Sequence, residues 1–271
     1  MNGVLSLMGY MLTPDVTTGG LAISNAATGN PDFGMTTLGG GFTSRKEFPL
    51  YLEGTLGYAR YDPTFIASNG QTSVAAKWDA YSATGGIGWD FPLARELVLR
   101  PVFNFSYGRV DSNLSASQTG TGEEIEFLRN GQLNAYGLGG SLVLDYERYR
   151  PESEIDVELR YTNIYLQSFS SSAAVKGSAD AQSISFWSRW RAPSGFSMLQ
   201  RPLRYVLEFA HTSFLGDLDG VLGFNHLSSF GTGLELDSSA RDIAVTRTRL
   251  MARYKVGEHV TGWSIGLAVS F

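Results

Sequence analysis

The end of the chain, Trp263–Phe271, alternates strictly between two kinds of side chain. The positions between the large apolar residues are serine, glycine or alanine, and the large residues are Trp263, Ile265, Leu267, Val269 and Phe271. Successive side chains of a strand point to opposite faces. One face of this strand is therefore large and apolar and the other is small or polar, as expected where one face meets lipid and the other a lumen.

The same alternation recurs along the chain with turn residues between the repeats. Each predicted strand is close to or longer than the roughly 9–11 residues that cross a bilayer. The strands are predicted at 15–24, 35–45, 49–61, 75–91, 97–111, 132–149, 153–168, 180–191, 203–214, 223–237, 241–255 and 261–271. The sequence thus predicts an all-β fold, a transmembrane antiparallel up-and-down β-barrel of about twelve strands spanning 15–271.

The connections between these strands alternate in length. Short ones are predicted at Lys46–Phe48, Pro92–Glu96, Arg150–Glu152 and Ser238–Ala240, and longer ones at 25–34, 62–74, 112–131 and 169–179. Two connections break the pattern, a longer turn at 192–202 and a short loop at 256–260. Short periplasmic turns and long outer loops are typical of transmembrane barrels, so this order predicts that both termini are periplasmic.

Composition supports this class. Glycine is abundant at 32 residues, aromatic residues reach 13% and charged residues fall to 17%, below the roughly 25% of soluble domains. A net charge of −5 without a basic face argues against nucleic acid as a partner. There is no cysteine, hence no disulfide or thiol chemistry. No metal site and no cofactor are predicted.

The segment Met1–Pro14 precedes the first strand and is too apolar to remain in water. It is expected to plug the lumen, to add a strand or to lie at the membrane interface. Met1–Leu12 has no basic region and no small-residue cleavage site, so it is not expected to be a signal peptide. The numbering is therefore expected to start near the mature N-terminus.

The C-terminal sequence Ser264-Ile-Gly266-Leu-Ala-Val269-Ser-Phe271 resembles the β-signal of outer-membrane proteins. The resemblance implies recognition by the barrel-assembly machinery, a Gram-negative outer-membrane location, and contact with outer-membrane lipid and lipopolysaccharide. The whole chain resembles a solitary autotransporter-type barrel, which implies twelve strands and an N-terminal segment threading the pore. No passenger domain is expected before the barrel.

Charged residues of both signs alternate with the apolar ones. Those predicted to line the lumen as a charge network are Glu53, Arg100, Glu158, Arg160, Glu208, Glu235, Arg247 and Arg249, joined by Asp145, Glu147, Asp156 and Arg189. A selective pore would show one dominant sign at its constriction. Mixed signs favour an ion-paired structural or autotransporter-like barrel without catalytic residues, and a narrow channel for small solutes is the alternative.

A second alternative comes from two His-x-Ser pairs, His211-Thr-Ser213 and His226-Leu-Ser228. They resemble the His-x-Ser of outer-membrane phospholipase A and of the outer-membrane lipid A deacylase. That resemblance implies a lipid acyl hydrolase in which His211 activates Ser213 and Asn225 on the next strand is the third residue. Phe214 and Ser229 follow the serines where the fuller motifs have asparagine.

Overall fold

A computed structural model describes residues 2–12, 19–25, 30–45, 47–62, 64–66, 73–114, 131–169, 177–221, 223–238, 246–258 and 260–270. One helix, α1, spans Asn2–Leu12, and the strands are β1 (Gly19–Asn25), β2 (Asn30–Thr43), β3 (Leu50–Tyr61), β4 (Thr64–Ile66), β5 (Ser73–Trp89), β6 (Phe91–Ala94), β7 (Leu97–Leu114), β8 (Gln132–Tyr149), β9 (Glu154–Phe169), β10 (Ser178–Met198), β11 (Arg201–Gly216), β12 (His226–Asp237), β13 (Arg247–Gly257) and β14 (Val260–Ser270). Among these described residues, no helix is both long and apolar enough to cross a membrane.

The long strands form one antiparallel sheet that closes on itself. Each pairs with the next long strand along the chain, β5 pairs with β7, and β1 returns to β14 through Ala22–Trp263 and Ile23–Gly262. The two short strands, β4 and β6, pair with β5 and β7 at the hairpin ends. The predicted up-and-down barrel of twelve strands is confirmed.

The longest hairpin corrects the predicted turn at 192–202. β10 continues to Met198 and β11 begins at Arg201, so only Leu199 and Gln200 form the turn. Both have positive φ, 54° and 60°, as a two-residue turn that follows the twist of the strands requires. The strand pairing continues past Pro193 and Gly195 with an irregularity between Pro193 and Ser197.

The connection predicted at Ser238–Ala240 falls largely outside the described residues. The described part of β13 begins at Arg247, and residues 239–245 lie outside the described part of the chain. Ser238 N still donates to Thr246 O at 2.7 Å, so the ladder of β12 and β13 extends past the last paired residues.

The wall of the barrel has two different faces. Along β9 the buried positions are every second residue from Glu154 to Ser168, and the residues between them are half-buried or exposed. Each long strand from β2 to β14, taken over the side chains described, presents large apolar residues outward, among them Leu38, Leu56, Ile87, Phe103, Leu138, Leu159, Ile184, Leu207, Leu234, Leu250 and Ile265. Such a belt would be unstable in water and is typical of a lipid-facing wall.

Helix α1 lies inside the barrel near one end. We call this the long-loop end; β3 ends there at Tyr61 and β11 ends there at Gly216. The opposite end is called the short-turn end. Ser6 Oγ donates to Asp217 O at 2.7 Å, and the Tyr10 hydroxyl donates to Leu218 O. Met8 and Met11 pack over Gly108 and Gly57, where a Cβ would collide with them.

The two described ends of the chain lie at opposite ends of the barrel. β14 does run towards the short-turn end, where Ser270 pairs with Arg247. The start of α1 lies at the opposite end, since Leu5 approaches Gly177 and Ser6 bonds to Asp217. The helix therefore descends from the long-loop end towards the middle of the lumen.

Candidate functional site

The interior is divided into an apolar layer and a charged layer. The apolar layer surrounds α1 at the long-loop end, where seven helix residues from Leu5 to Leu12 are 0–6% exposed. The residues that pack around them include Ala59, Ala80, Val110, Leu133, Ile164, Ala181 and Phe214 from the strands, and Phe224 from the connection between β11 and β12. The charged lining predicted for the lumen does not extend into this layer. Here the inward side chains of the strands pack against a helix and not against water.

The charged layer fills the other half of the lumen. The inward face of β9 shows the change, since Glu154, Asp156, Glu158 and Arg160 are followed by Thr162 and then by apolar residues. A charge removed from water is tolerated when it is paired and hydrogen-bonded. The carboxylates and guanidiniums of this layer meet that requirement in two groups.

The first group is centred on Glu53 and Arg160, whose side chains are each 2% exposed. Arg160 Nη2 donates to Glu53 Oε2 at 2.9 Å, and Arg160 Nε donates to Glu158 Oε1 at 3.0 Å. Asn104 Nδ2 donates to Glu53 Oε1 at 2.7 Å. Nearer the short-turn end, Arg100 pairs with Asp90 and Asp145. These contacts join β3, β7 and β9 across the lumen.

The second group joins β9 to β13. Glu154 accepts from Arg191, Arg204 and Arg247 at 3.0, 2.9 and 2.6 Å. Fully buried Glu235 pairs with Arg249 at 2.6 Å. Three further pairs belong to the group: Arg204 with Asp237 at 3.1 Å, Asp156 with Arg189 at 2.5 Å and Glu208 with Arg253 at 2.6 Å.

All eight residues of the predicted charge network lie in these two groups and form ion pairs with members of their own group. Sequence reasoning missed six further members, Asp90, Glu154, Arg191, Arg204, Asp237 and Arg253. Glu154 lies on the same strand face as Asp156, and Arg191 on the same face as Arg189, but both lie at the ends of the predicted strands. Arg253 lies four residues after Arg249 and so on the same strand face, a signal that could have identified it.

A cavity of about 260 Å³ remains inside the charged layer. Its lining includes Tyr51, Glu53, Arg100, Asp145, Arg160 and Arg189. Both signs of charge border this space. Among the described residues, no group of three or more side chains is arranged to hold a metal ion.

The two His-x-Ser pairs lie together on the outward face of β11 and β12. His211 Nδ1 lies 2.8 Å from Ser228 Oγ, and His211 Nε2 lies 3.3 Å from Ser213 Oγ. Asn225 was expected to serve His211, but its Oδ1 lies 3.0 Å from His226 Nδ1. Ser228 occupies that place instead, because the ladder sets it directly across from His211.

Of the predicted assembly signal, Ser264 is buried and faces the lumen, and Gly266 pairs with Met251. The backbone of Val269 pairs with Thr248. Phe271 lies outside the described residues.

Comparison with solved structures identifies the fold. The match to the β-domain of the Bordetella autotransporter BrkA covers 93% of this chain and 97% of that structure, at 15% identity and a TM-score of 0.51. The match to the transport unit of AIDA-I from Escherichia coli covers 100% of this chain and 98% of that structure, at 12% identity and a TM-score of 0.51. The match to the translocator domain of NalP from Neisseria meningitidis covers 99% of this chain and 96% of that structure, at 13% identity and a TM-score of 0.53.

The chain has the fold of an autotransporter translocator barrel. No protein-family model matches the sequence, and no curated protein matches it significantly. The likeness to BrkA, AIDA-I and NalP covers 93–100% of the chain. The predicted autotransporter-type architecture is therefore confirmed at the level of the fold.

Proposed function

We propose that this protein is an integral barrel of a Gram-negative outer membrane, autotransporter-like or structural, whose lumen is closed. The observation that carries the proposal is the contrast between the two faces of the wall. Exposed apolar side chains surround the barrel, whereas the charges of the two lumenal groups are turned inward and paired. A closed barrel satisfies every backbone group within the sheet, as hydrocarbon requires.

Both interior layers support closure over the alternative of a narrow channel. The strands of the apolar layer pack closely against α1, since Leu5, Leu7, Met8, Met11 and Leu12 are all 0% exposed. The charged layer is crossed by the pair of Arg160 and Glu53. An ion would have to displace the helix and break this pair, and both steps cost free energy.

We further propose that the short turns face the periplasm, as in transmembrane barrels generally. In this orientation β14 ends on the periplasmic side, and α1 begins at the cell exterior. The β-signal of Ser264, Gly266, Val269 and Phe271 is then presented to the barrel-assembly machinery from the periplasm.

Contact with lipopolysaccharide is proposed on one sector of the wall. Three exposed cations, Arg60, Lys77 and Arg109, lie on the outward face at the long-loop end of β3, β5 and β7. Guanidinium and ammonium groups suit lipid phosphates. Replacing all three with glutamine should reduce the lipopolysaccharide that remains bound to the purified barrel, and unchanged retention would count against this sector.

The experiment for the main proposal is reconstitution into lipid vesicles. The folded chain should sediment with the vesicles, resist protease in its strands and migrate faster on unboiled than on boiled electrophoresis gels. A planar bilayer containing it should stay electrically silent. A chain that remains in the aqueous fraction would overturn the membrane assignment, and steady single-channel steps would instead support the channel.

A further inference from the structure

Three polar side chains form a continuous chain on the outward wall of β11 and β12. His211 contacts Ser213 two residues further along its own strand at 3.3 Å, and Ser228 across the ladder at 2.8 Å. All three side chains are half-buried, so each retains an accessible surface. The ion-paired lumen makes no use of them, because they point away from it.

From this geometry we propose that Ser213, His211 and Ser228 form the site of a hydrolase for lipid acyl esters. The site rests on the proposed function, since it meets lipid only if the barrel is inserted in a membrane. Both contacts are satisfied by one neutral tautomer of His211, in which Nδ1–H donates to Ser228 Oγ. Nε2 is then free to accept the hydroxyl proton of Ser213, as a general base must.

The surroundings of the cluster match the depth of a lipid ester. Phe186 is the register partner of His211 on β10. The rings of Phe209 and Phe230 occupy the next outward positions towards the short-turn end, with their centroids 5.2 Å apart. Beyond Ser213 on the other side the strand ends at Gly216. The cluster thus lies where the apolar belt meets the long-loop end, the level at which acyl esters join headgroups in a bilayer.

The reaction proceeds in two balanced halves. Ser213 Oγ attacks the ester carbonyl carbon while its proton passes to His211 Nε2, and the carbonyl π electrons move onto oxygen. The oxyanion then collapses, the ester C–O bond breaks, and the leaving alkoxide takes the proton from Nε2. Water attacks the acyl-serine by the same route and releases the fatty acid, which restores Ser213.

His226 borders the reacting serine. It lies directly across from Ser213, its ring centroid is 5.8 Å from that of His211, and its Nδ1 contacts Asn225 Oδ1. Ser228 acts through His211 and is a positioning residue.

The test uses the full chain in vesicles of phosphatidylethanolamine and phosphatidylglycerol, with and without lipid A. A fluorophosphonate probe should attach to Ser213, as located by peptide mass, and free fatty acid should appear. Release without lipid A identifies phospholipid as the source of the ester, and release that needs lipid A identifies lipid A. Both signals should vanish in Ser213→Ala and fall about 100-fold or more in His211→Gln.

Matched variants separate chemistry from packing. Ser188→Ala removes a half-buried outward hydroxyl from the neighbouring strand and should leave probe labelling and fatty-acid release unchanged. Ser228→Ala should slow labelling, and Ser228→Thr, which keeps the hydroxyl, should restore it. A loss that Ser228→Thr fails to rescue would contradict the positioning role.

Protease protection on the same samples separates this inference from the proposed function. A barrel that inserts but shows neither labelling of Ser213 nor fatty-acid release overturns the hydrolase and leaves the membrane barrel intact. A chain that fails to insert overturns both. Labelling at Ser213 with fatty-acid release supports both.

Discussion

Arg160 on β9 and Glu53 on β3 form a forked ion pair across the lumen, with Nη1 to Oε1 at 3.2 Å and Nη2 to Oε2 at 2.9 Å. Around the shorter side of the barrel, three strands lie between β3 and β9, namely β5, β7 and β8. The pair therefore braces the barrel internally, independently of the hydrogen bonds between neighbouring strands.

Arg160→Met is expected to destabilise the barrel by about 3–5 kcal/mol, because it leaves the buried carboxylate of Glu53 without its cation. Urea unfolding in detergent micelles measures the change. The double variant Glu53→Gln/Arg160→Met should recover much of the loss. Equal stability of the single and double variants would show that the two groups are not coupled.

An exposed pair at the short-turn end provides the control. Arg150 Nη2 donates to Glu96 Oε1 at 2.6 Å, and this hydrogen bond lowers the pKa of the Glu96 carboxyl. Water screens the pair, so Arg150→Met should leave the unfolding midpoint unchanged. A loss comparable with that of Arg160→Met would contradict the special role of burial.

Deletion of residues 2–12 should convert a silent bilayer into one with measurable conductance, because α1 fills the apolar layer. The charged layer still narrows the path after the deletion. Adding Arg160→Met to the deletion should therefore raise the conductance further. If the deletion variant inserts but stays silent, closure does not depend on the helix.

Accessibility to a membrane-impermeant maleimide tests the orientation of the barrel, and the absence of native cysteine gives a clean background. Glu258→Cys at the long-loop end should react on intact cells, whereas Glu152→Cys in the short turn before β9 should react only after lysis. The reverse pattern would place the short turns outside. Equal folding of both variants is checked by their migration on unboiled gels.

The turn of the longest hairpin can be improved. Leu199 and Gln200 both hold positive φ, a conformation that costs ordinary side chains roughly 1 kcal/mol or more. Leu199→Asn with Gln200→Gly should raise the free energy of unfolding by about 1 kcal/mol, since these residues favour this turn. Gln200→Val should lower it, because a β-branched residue fits this region poorly.

Phe271→Ala tests the β-signal that the C-terminal sequence predicts. The variant should accumulate less in the outer membrane of cells, because it removes the aromatic residue of the proposed β-signal. The purified variant should refold into detergent at the rate of the parent. Equal defects in both settings would indicate a role in stability rather than in recognition.

Alternation predicted most of the wall because the two faces of each strand meet different media, and β8 was predicted with its observed bounds. The same rule placed Glu53 and Arg160 inside without revealing that they meet, since strand register is not visible in one sequence. The turn was predicted at 192–202, whereas β10 continues through Pro193 and Gly195 and the turn lies at Leu199 and Gln200. The third partner of His211 was assigned to Asn225 by motif resemblance, whereas the ladder selects Ser228.

The location of α1 has a consequence for ligands of the lumen. Residues 13–18 connect the helix to β1, so the helix is presented to the interior at an effective concentration on the order of millimolar. A free peptide that competes for the same apolar space must exceed this local concentration. Cleavage within 13–18 would remove the advantage, and the severed helix would then be held by its own affinity alone.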